Sequence, residues 1–120
     1  MSRTSLIVAL LALGACKRTA GPGASCDAVG AHFISTAESE LATAKLDAEL
    51  AGGVKDLLPP IRDGMVRACK EGAWGAPARD CFANAADGKA MKGCYGQLDT
   101  AQRTALDRAA AGKTDDSDAN

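Results

Sequence analysis

Arg67–Cys94 reads RACKEGAWGAPARDCFANAADGKAMKGC, and this stretch holds three of the five cysteines and the only tryptophan of the 120-residue chain. Apolar residues on both sides of its centre, Gly72–Pro77, have helical spacing. Glycine commonly ends a helix, and proline is tolerated in the first turn of the next one. The stretch therefore predicts a helical hairpin that turns near Gly75 and has its two helices cross-linked through cysteine.

Two helices are predicted up to the turn of this hairpin. Apolar residues recur at three- and four-residue steps from about Asp27 to Leu50, which predicts the first helix. Gly52-Gly53 is expected to end it. Pro59-Pro60 is expected to begin the second helix, which closes at Gly72 to Gly75.

Two more helices and a short helical turn are predicted after the hairpin turn. Pro77 opens the third helix, and Lys89 to Cys94 forms one further helical turn. Asp99 with Gln102 three residues later is a capping-box pattern that begins the fourth helix, and Gly112 ends it. No run alternates with the period of two that a strand requires. The predicted fold class is therefore all-α, a small disulfide-stapled bundle of about four helices.

The amino-terminal segment predicts export. Arg3 precedes a short apolar run at Leu6–Leu13. This run is far shorter than the roughly 20 residues that span a bilayer. It is typical of a signal peptide and not of an anchor helix.

The end of that segment carries a family resemblance. Leu13-Gly14-Ala15-Cys16 resembles the lipobox of bacterial lipoproteins, in which an aliphatic residue and two small residues precede a cysteine. The resemblance implies cleavage before Cys16 and attachment of acyl chains such as palmitate to its thiol and new amino group. Lys17, where some lipoproteins carry aspartate, implies the outer membrane, with the domain facing the periplasm or the cell surface. The alternative is an ordinary secretory signal that is cut near Ala15 or Ala20.

These features divide the chain into four parts. Residues 1–15 are predicted as the lipoprotein signal peptide, and residues 16–25 as the lipidated cysteine with a flexible tether. Residues 26–112 are predicted as a helical four-cysteine domain. Residues 113–120, KTDDSDAN, are expected to be a disordered acidic tail.

Export also predicts that the four cysteines of the domain form disulfides. Cys69 and Cys81 each lie six residues from Gly75, so an antiparallel hairpin that turns there places them level with each other. This symmetry favours Cys69–Cys81, which leaves Cys26–Cys94. The alternative pairs Cys26 with Cys69 and Cys81 with Cys94, since the start of the first helix meets the end of the second in an antiparallel pair.

The domain itself resembles small uncharacterised four-cysteine lipoproteins predicted in myxobacteria. The resemblance is carried by the Cys-x4-Trp that begins at Cys69, the Arg-Asp-Cys that ends at Cys81, the Lys-Gly-Cys that ends at Cys94, and the Cys-Asp helix start at Cys26. It covers about residues 26–106 and implies no particular activity.

Composition argues against several classes of function. The formal net charge of -1 indicates no basic face for nucleic acid. No C-x-x-C motif occurs, so no metal site and no cofactor are predicted. His32 is the only histidine, and a structural or surface role is favoured over a role as ligand. Glu38 and Glu40 are two residues apart on a helix and do not face each other, so no catalytic residue is assigned.

The sequence also predicts the surroundings of Trp74 and of the Arg79-Asp80 pair. Trp74 lies in the predicted hairpin loop, where packing over a bridge between Cys69 and Cys81 is favoured and an exposed anchor for a partner is the alternative. Arg79-Asp80 is predicted as a solvated surface pair, worth less than about 1 kcal/mol.

These observations predict a function of a general kind. The chain is expected to be a lipid-anchored envelope protein and not an enzyme, attached to the membrane through Cys16. It is expected to act as an interaction or accessory module with an envelope protein as partner. The alternative is a periplasmic carrier of a small apolar ligand between its alanine-rich helices.

The lipidation hypothesis predicts the behaviour of one variant. Cys16→Ala should abolish labelling by a fatty-acid analogue and release the protein from membranes, because several acyl chains anchor a protein stably where one does so only marginally. Fractionation and labelling of cells that express each form measure this. A wild-type protein that stays in membranes without any label would contradict it.

Overall fold

The computed structural model describes residues 23–112. They form five α-helices, with a 3-10 helix between the fourth and the fifth: α1 (Cys26–Thr43), α2 (Ala48–Glu71), α3 (Ala76–Asn84), α4 (Gly88–Gly93), the 3-10 helix (Cys94–Gln97) and α5 (Thr100–Ala110). These residues contain no strand, so the all-α class is confirmed. The count is five and not about four, because the turn predicted at Lys89 to Cys94 is a short helix of its own. The predicted signal peptide, Cys16 and the acidic tail lie outside the described residues.

The carboxyl-terminal half follows its local sequence signals closely. Gly72 caps the end of α2, and Pro77 lies in the first turn of α3. The capping box of α5 is present: the Asp99 side chain accepts from the Gln102 N–H at 2.8 Å, and the Gln102 side chain accepts from the Asp99 N–H at 2.9 Å. The Gln102 amide also donates to the Gly72 carbonyl at 2.9 Å, so this cap fixes the start of α5 against the end of α2.

The predicted boundary between the first two helices is wrong. The turn lies at Ala44–Leu46, where Lys45 has a φ of 54°. The Asp47 carboxylate accepts from the Leu50 N–H at 2.8 Å and caps the start of α2. Gly52-Gly53, expected to end the first helix, therefore lies inside the second. Each glycine within a helix costs about 1 kcal/mol relative to alanine, so the pair costs about 2 kcal/mol, which is similar to the upper value for a well-formed cap.

Pro59-Pro60 does not begin a helix either, since α2 runs through both prolines. Each proline lacks an N–H, so the carbonyl four residues earlier has no hydrogen-bond partner within the helix. These carbonyl groups belong to Lys55 and Asp56. Both of these residues are exposed, so water can satisfy their carbonyl groups. Leu58, next to the prolines, is only 7 % exposed, and its burial supports the helix at this point.

The disulfides follow the alternative connectivity. Cys26 bonds to Cys69 and Cys81 bonds to Cys94, so the favoured pairs Cys69–Cys81 and Cys26–Cys94 are wrong. The reason is the course of α3, which packs across α1 and against the 3-10 helix and does not run back along α2. A turn with a φ of 48° at Ala73 redirects the chain between the two helices.

The core lies at the end of the molecule where both disulfides are found. Phe82 is fully buried at its centre, with ring centroids 5.0 Å from Trp74 and 6.1 Å from Tyr95. Val29 of α1 and Leu106 of α5 close the cluster from two sides. The α1–α2 crossing beside the core is tight, because a Cβ added at Gly30 would lie 2.5 Å from a Val66 methyl group. In residues 23–112 no helix combines the length and the apolar character needed to cross a bilayer.

The connectivity has a direct chemical test. Peptide mapping without reduction should recover fragments that link Cys26 to Cys69 and Cys81 to Cys94. Loss of the first bond should lower the free energy of unfolding by about 4 kcal/mol, and loss of the second by about 3 kcal/mol, because the chain-entropy cost grows with the length of the closed loop. The sequence separations are 43 and 13 residues.

Denaturant unfolding of the two double-alanine variants measures this difference. A fragment that links Cys69 to Cys81 would contradict the observed packing of α3.

Candidate functional site

The structure gives structural roles to the sequence-based candidates that it describes. Cys16 lies outside the described residues, and the other four cysteines form disulfides. Trp74 is 4 % exposed and packs against Phe82, so it is neither an exposed partner anchor nor a cover over a Cys69–Cys81 bridge. Its burial follows from the turn at Ala73, which points the indole back into the core.

His32 joins two helical segments. Its Nε2 donates to the Ala85 carbonyl at 2.6 Å, across the end of α3. This bond connects α1 to the loop before α4. A structural role accounts for the contact.

Arg79 and Asp80 hold the entry of the chain into the domain, a role that the sequence analysis missed. The Asp80 carboxylate accepts from the Ala24 N–H at 2.7 Å, and the Arg79 guanidinium donates to the Ala24 carbonyl at 2.9 Å. Gly23 lies so close to Ala76 that an added Cβ would come within 2.9 Å of the alanine methyl group. The pair was expected to be solvated. Both side chains instead bond to the backbone of Ala24, where the chain enters the domain from the predicted tether.

A two-helix arm, residues 34–57, extends beyond the core. It consists of the second half of α1, the Ala44–Leu46 turn and the first part of α2. None of its residues is buried. The arm joins the core at the base of α1 and the middle of α2, and no residue beyond this junction is buried.

The arm carries an uncovered apolar face on α2. Leu46 at the turn is 38 % exposed, and Leu50 and Leu57 on the helix are 52 % and 59 % exposed. Gly53 lies between the last two, and a Cβ added there would meet no atom within 4 Å. We call these four residues the uncovered face. Three of them, Leu50, Gly53 and Leu57, lie on α2 at steps of three and four residues and therefore share one side of the helix.

The same side of α2 is covered farther along by α5. Pro60 and Gly64 of α2 line a groove together with Ala109 and Gly112 from the end of α5. Gly64 and Ala109 are in close contact, since a Cβ added at Gly64 would lie 2.9 Å from the alanine methyl group. Helix α5 ends at Ala110, so the uncovered face begins where α5 stops.

An acidic row borders the uncovered face. Glu49 and Asp56 each precede a leucine of the face, and they are seven residues apart and so on one side of α2. Both are exposed. Lys55 is the only basic residue of the helical part of the arm, and it points away from the face, about 200° around the helix from Leu57.

A second candidate is an apolar crevice of about 220 Å³ between the base of the arm and the core. Its walls are mostly apolar, and the residues that line it are Phe33, Thr36, Ala37, Glu40, Ile61, Met65, Phe82, Gly88, Met91, Lys92, Tyr95, Leu106 and Ala110. The Glu40 carboxylate accepts from the Gly88 N–H at 2.7 Å at the start of α4. This bond joins the arm to the core at the edge of the crevice.

No group of three or more histidine, cysteine, aspartate or glutamate side chains is placed to hold a metal ion in residues 23–112. Tyr95, on the crevice wall, has its pKa raised above 10.0 by burial, by the negative charge of Asp107 and by a hydrogen bond to that carboxylate. A phenol with a raised pKa stays protonated at neutral pH and serves as a hydrogen-bond donor.

Comparisons with known proteins bring no further assignment. No protein-family model, no curated protein and no solved structure matches this chain.

The Tyr95–Asp107 pair predicts a pH-dependent change that ultraviolet absorbance can follow, since Tyr95 is the only tyrosine. The Tyr95 phenol should ionise at a higher pH in the folded protein than in the unfolded chain, where its pKa is about 10. Burial and the contact with Asp107 both favour the protonated phenol, so the contribution of Tyr95 to stability is fully present below the pKa of the unfolded chain and is lost as pH rises through the raised pKa. Asp107→Asn should lower the Tyr95 pKa, because it removes the negative charge. An unchanged titration would show that the carboxylate does not act on the phenol.

Proposed function

We propose that this chain is a lipid-anchored envelope protein that acts as a non-enzymatic interaction module and presents its arm to a protein partner. The uncovered face carries the proposal. Large apolar side chains exposed on one side of a helix, with an acidic border, are typical of a surface that a partner covers.

The anchor is proposed on other grounds. The lipobox resemblance at Leu13–Cys16 supports attachment through Cys16, and two disulfides fit a compartment outside the cytoplasm. Lys17 supports the outer membrane. The entry of the chain at Ala24 is held against α3 by Arg79 and Asp80, at the opposite end of α1 from the turn at Lys45. With 18 residues, α1 separates these ends by about 27 Å, which lets the arm reach away from the point of attachment.

The apolar crevice favours a second candidate function, a carrier of a small apolar ligand. Its volume of about 220 Å³ exceeds the roughly 150 Å³ of an engineered cavity that binds benzene. A single ring or a short aliphatic chain would fit. Ala37→Leu should fill the crevice and abolish the recovery of such a ligand from the purified protein by mass spectrometry, while leaving the uncovered face unchanged.

Photo-crosslinking in cells tests the interaction module. A photoreactive amino acid at Leu57 should yield a discrete adduct with one envelope protein, because this side chain is the most exposed leucine of the uncovered face. The matched control is the same probe at Lys55, two residues away on the opposite side of the helix, which should yield no such adduct. The Ala37→Leu change should not affect the adduct.

Equal adducts at both positions would contradict the proposal, as would no adduct at Leu57 in protein that is correctly folded and present in the membrane.

A further inference from the structure

We propose that the uncovered face binds an amphipathic α-helix whose apolar stripe is bordered by lysine or arginine. This inference rests on the proposed interaction module and names the chemistry of its partner. The partner helix would lie on α2 in line with α5, beyond the point where α5 ends. Three features of the described residues lead to this partner.

The first feature is the continuity of one helix face. On α2, Gly64 contacts Ala109 of α5, and the exposed Pro60 lines an open groove beside the end of α5. From Pro60, steps of three, four and three residues lead to Leu57, Gly53 and Leu50. The intramolecular helix–helix contact therefore stops while the apolar side of α2 continues. From Ala48 to Pro60 the available length is about 20 Å, enough for a partner helix of about 13 residues.

The second feature is the shape of that face. Gly53 leaves a notch between Leu50 and Leu57, with open space where a side chain would be. Farther along α2, Gly64 leaves the same kind of notch and receives Ala109 of α5 in close contact. A glycine lets another helix approach closely, and it costs stability in an exposed helix. The partner helix is therefore expected to place a small residue, such as alanine, over Gly53.

The third feature is charge. Glu49 and Asp56 border the face on one side, and both are exposed. A partner with lysine or arginine beside its apolar stripe would gain from this row, since complementary charges at the edge of an interface raise the association rate and select the partner. A second copy of the arm would bring the same two carboxylates and is disfavoured. An anionic lipid surface is disfavoured for the same reason.

The chain's own carboxyl-terminal segment does not suit the face either. Residues 113–120, KTDDSDAN, contain no apolar side chain larger than alanine and three aspartates. Such a segment offers nothing to cover two leucines and adds negative charge beside Glu49 and Asp56. The occupant we infer is therefore a helix from another protein.

Designed peptides test this partner class. The basic peptide has about 14 residues, with leucine and alanine on one face and lysine on both borders. The acidic peptide carries glutamate in place of lysine. Binding is measured by fluorescence anisotropy to the full lipidated protein in uncharged phosphatidylcholine nanodiscs, with empty nanodiscs as blank. The basic peptide should bind at least tenfold more tightly than the acidic one.

Variants of exposed residues locate the binding. Leu50→Ser with Leu57→Ser should weaken binding of the basic peptide at least tenfold, whereas Lys55→Ser should leave it within twofold. Glu49→Lys with Asp56→Lys should reverse the preference, so that the acidic peptide binds more tightly. All these side chains are exposed, and circular dichroism checks that each variant remains helical.

The outcomes separate this inference from the function on which it rests. If both peptides bind equally, or if the charge reversal leaves the preference unchanged, the partner class is wrong even where Leu57 still forms an adduct in cells. A dimer in sedimentation equilibrium that the leucine changes abolish would identify a second copy as the occupant and overturn the inference. Loss of the Leu57 adduct itself would remove the proposed function.

Discussion

The bond between Cys26 and Cys69 joins the start of α1 to the end of α2, and the rest of the structure depends on this constraint. It brings the two longest helices together at one end, where Gly30 permits a close approach to Val66. Helices α3 and α5 then pack at that same end. At the opposite ends of α1 and α2 no residue is buried, and these ends form the arm.

Helix α2 runs through both the arm and the core. Its second half contributes Met65, Ala68 and Cys69 to the buried side chains, while its first half exposes leucines. The prolines at 59–60 lie at the transition and interrupt the hydrogen bonding of the exposed backbone only. A helix with three glycines and two prolines gains little from intrinsic propensity, so its buried half, together with the Asp47 cap, is what stabilises it. Partner binding along the first half would add stability where the free protein has least.

The sequence predicted the features that short-range chemistry decides. The capping box at Asp99 and Gln102, the start of α3 at Pro77 and the end of α2 at Gly72 each depend on residues within a few positions of one another, and all were confirmed. The all-α class follows from helical periodicity in the same way.

Features that depend on distant contacts were predicted less well. Gly52-Gly53 and Pro59-Pro60 look like helix boundaries, but the Asp47 cap and the burial of Leu58 outweigh them. The disulfide pairing required the direction of α3 relative to α1, which no local pattern contains. The uncovered face was visible as the spacing of Leu46, Leu50 and Leu57, but its meaning depended on the helix continuing through Gly53. The hydrogen bonds of Arg79 and Asp80 to Ala24 join residues more than 50 positions apart, and no local sequence pattern indicated them.

Helix α2 carries an apolar face that is open to solvent directly beside the buried core. Paramagnetic relaxation of leucine methyl groups by a soluble gadolinium chelate tests this exposure most directly. Strong signal loss is expected for Leu50 and Leu57, and protection is expected for Leu58, Leu98 and Leu106, which are at most 7 % exposed. The contrast between Leu57 and its neighbour Leu58 is the decisive comparison. Equal protection of these two residues in the monomeric protein would show that the uncovered face is in fact covered, contrary to the structure.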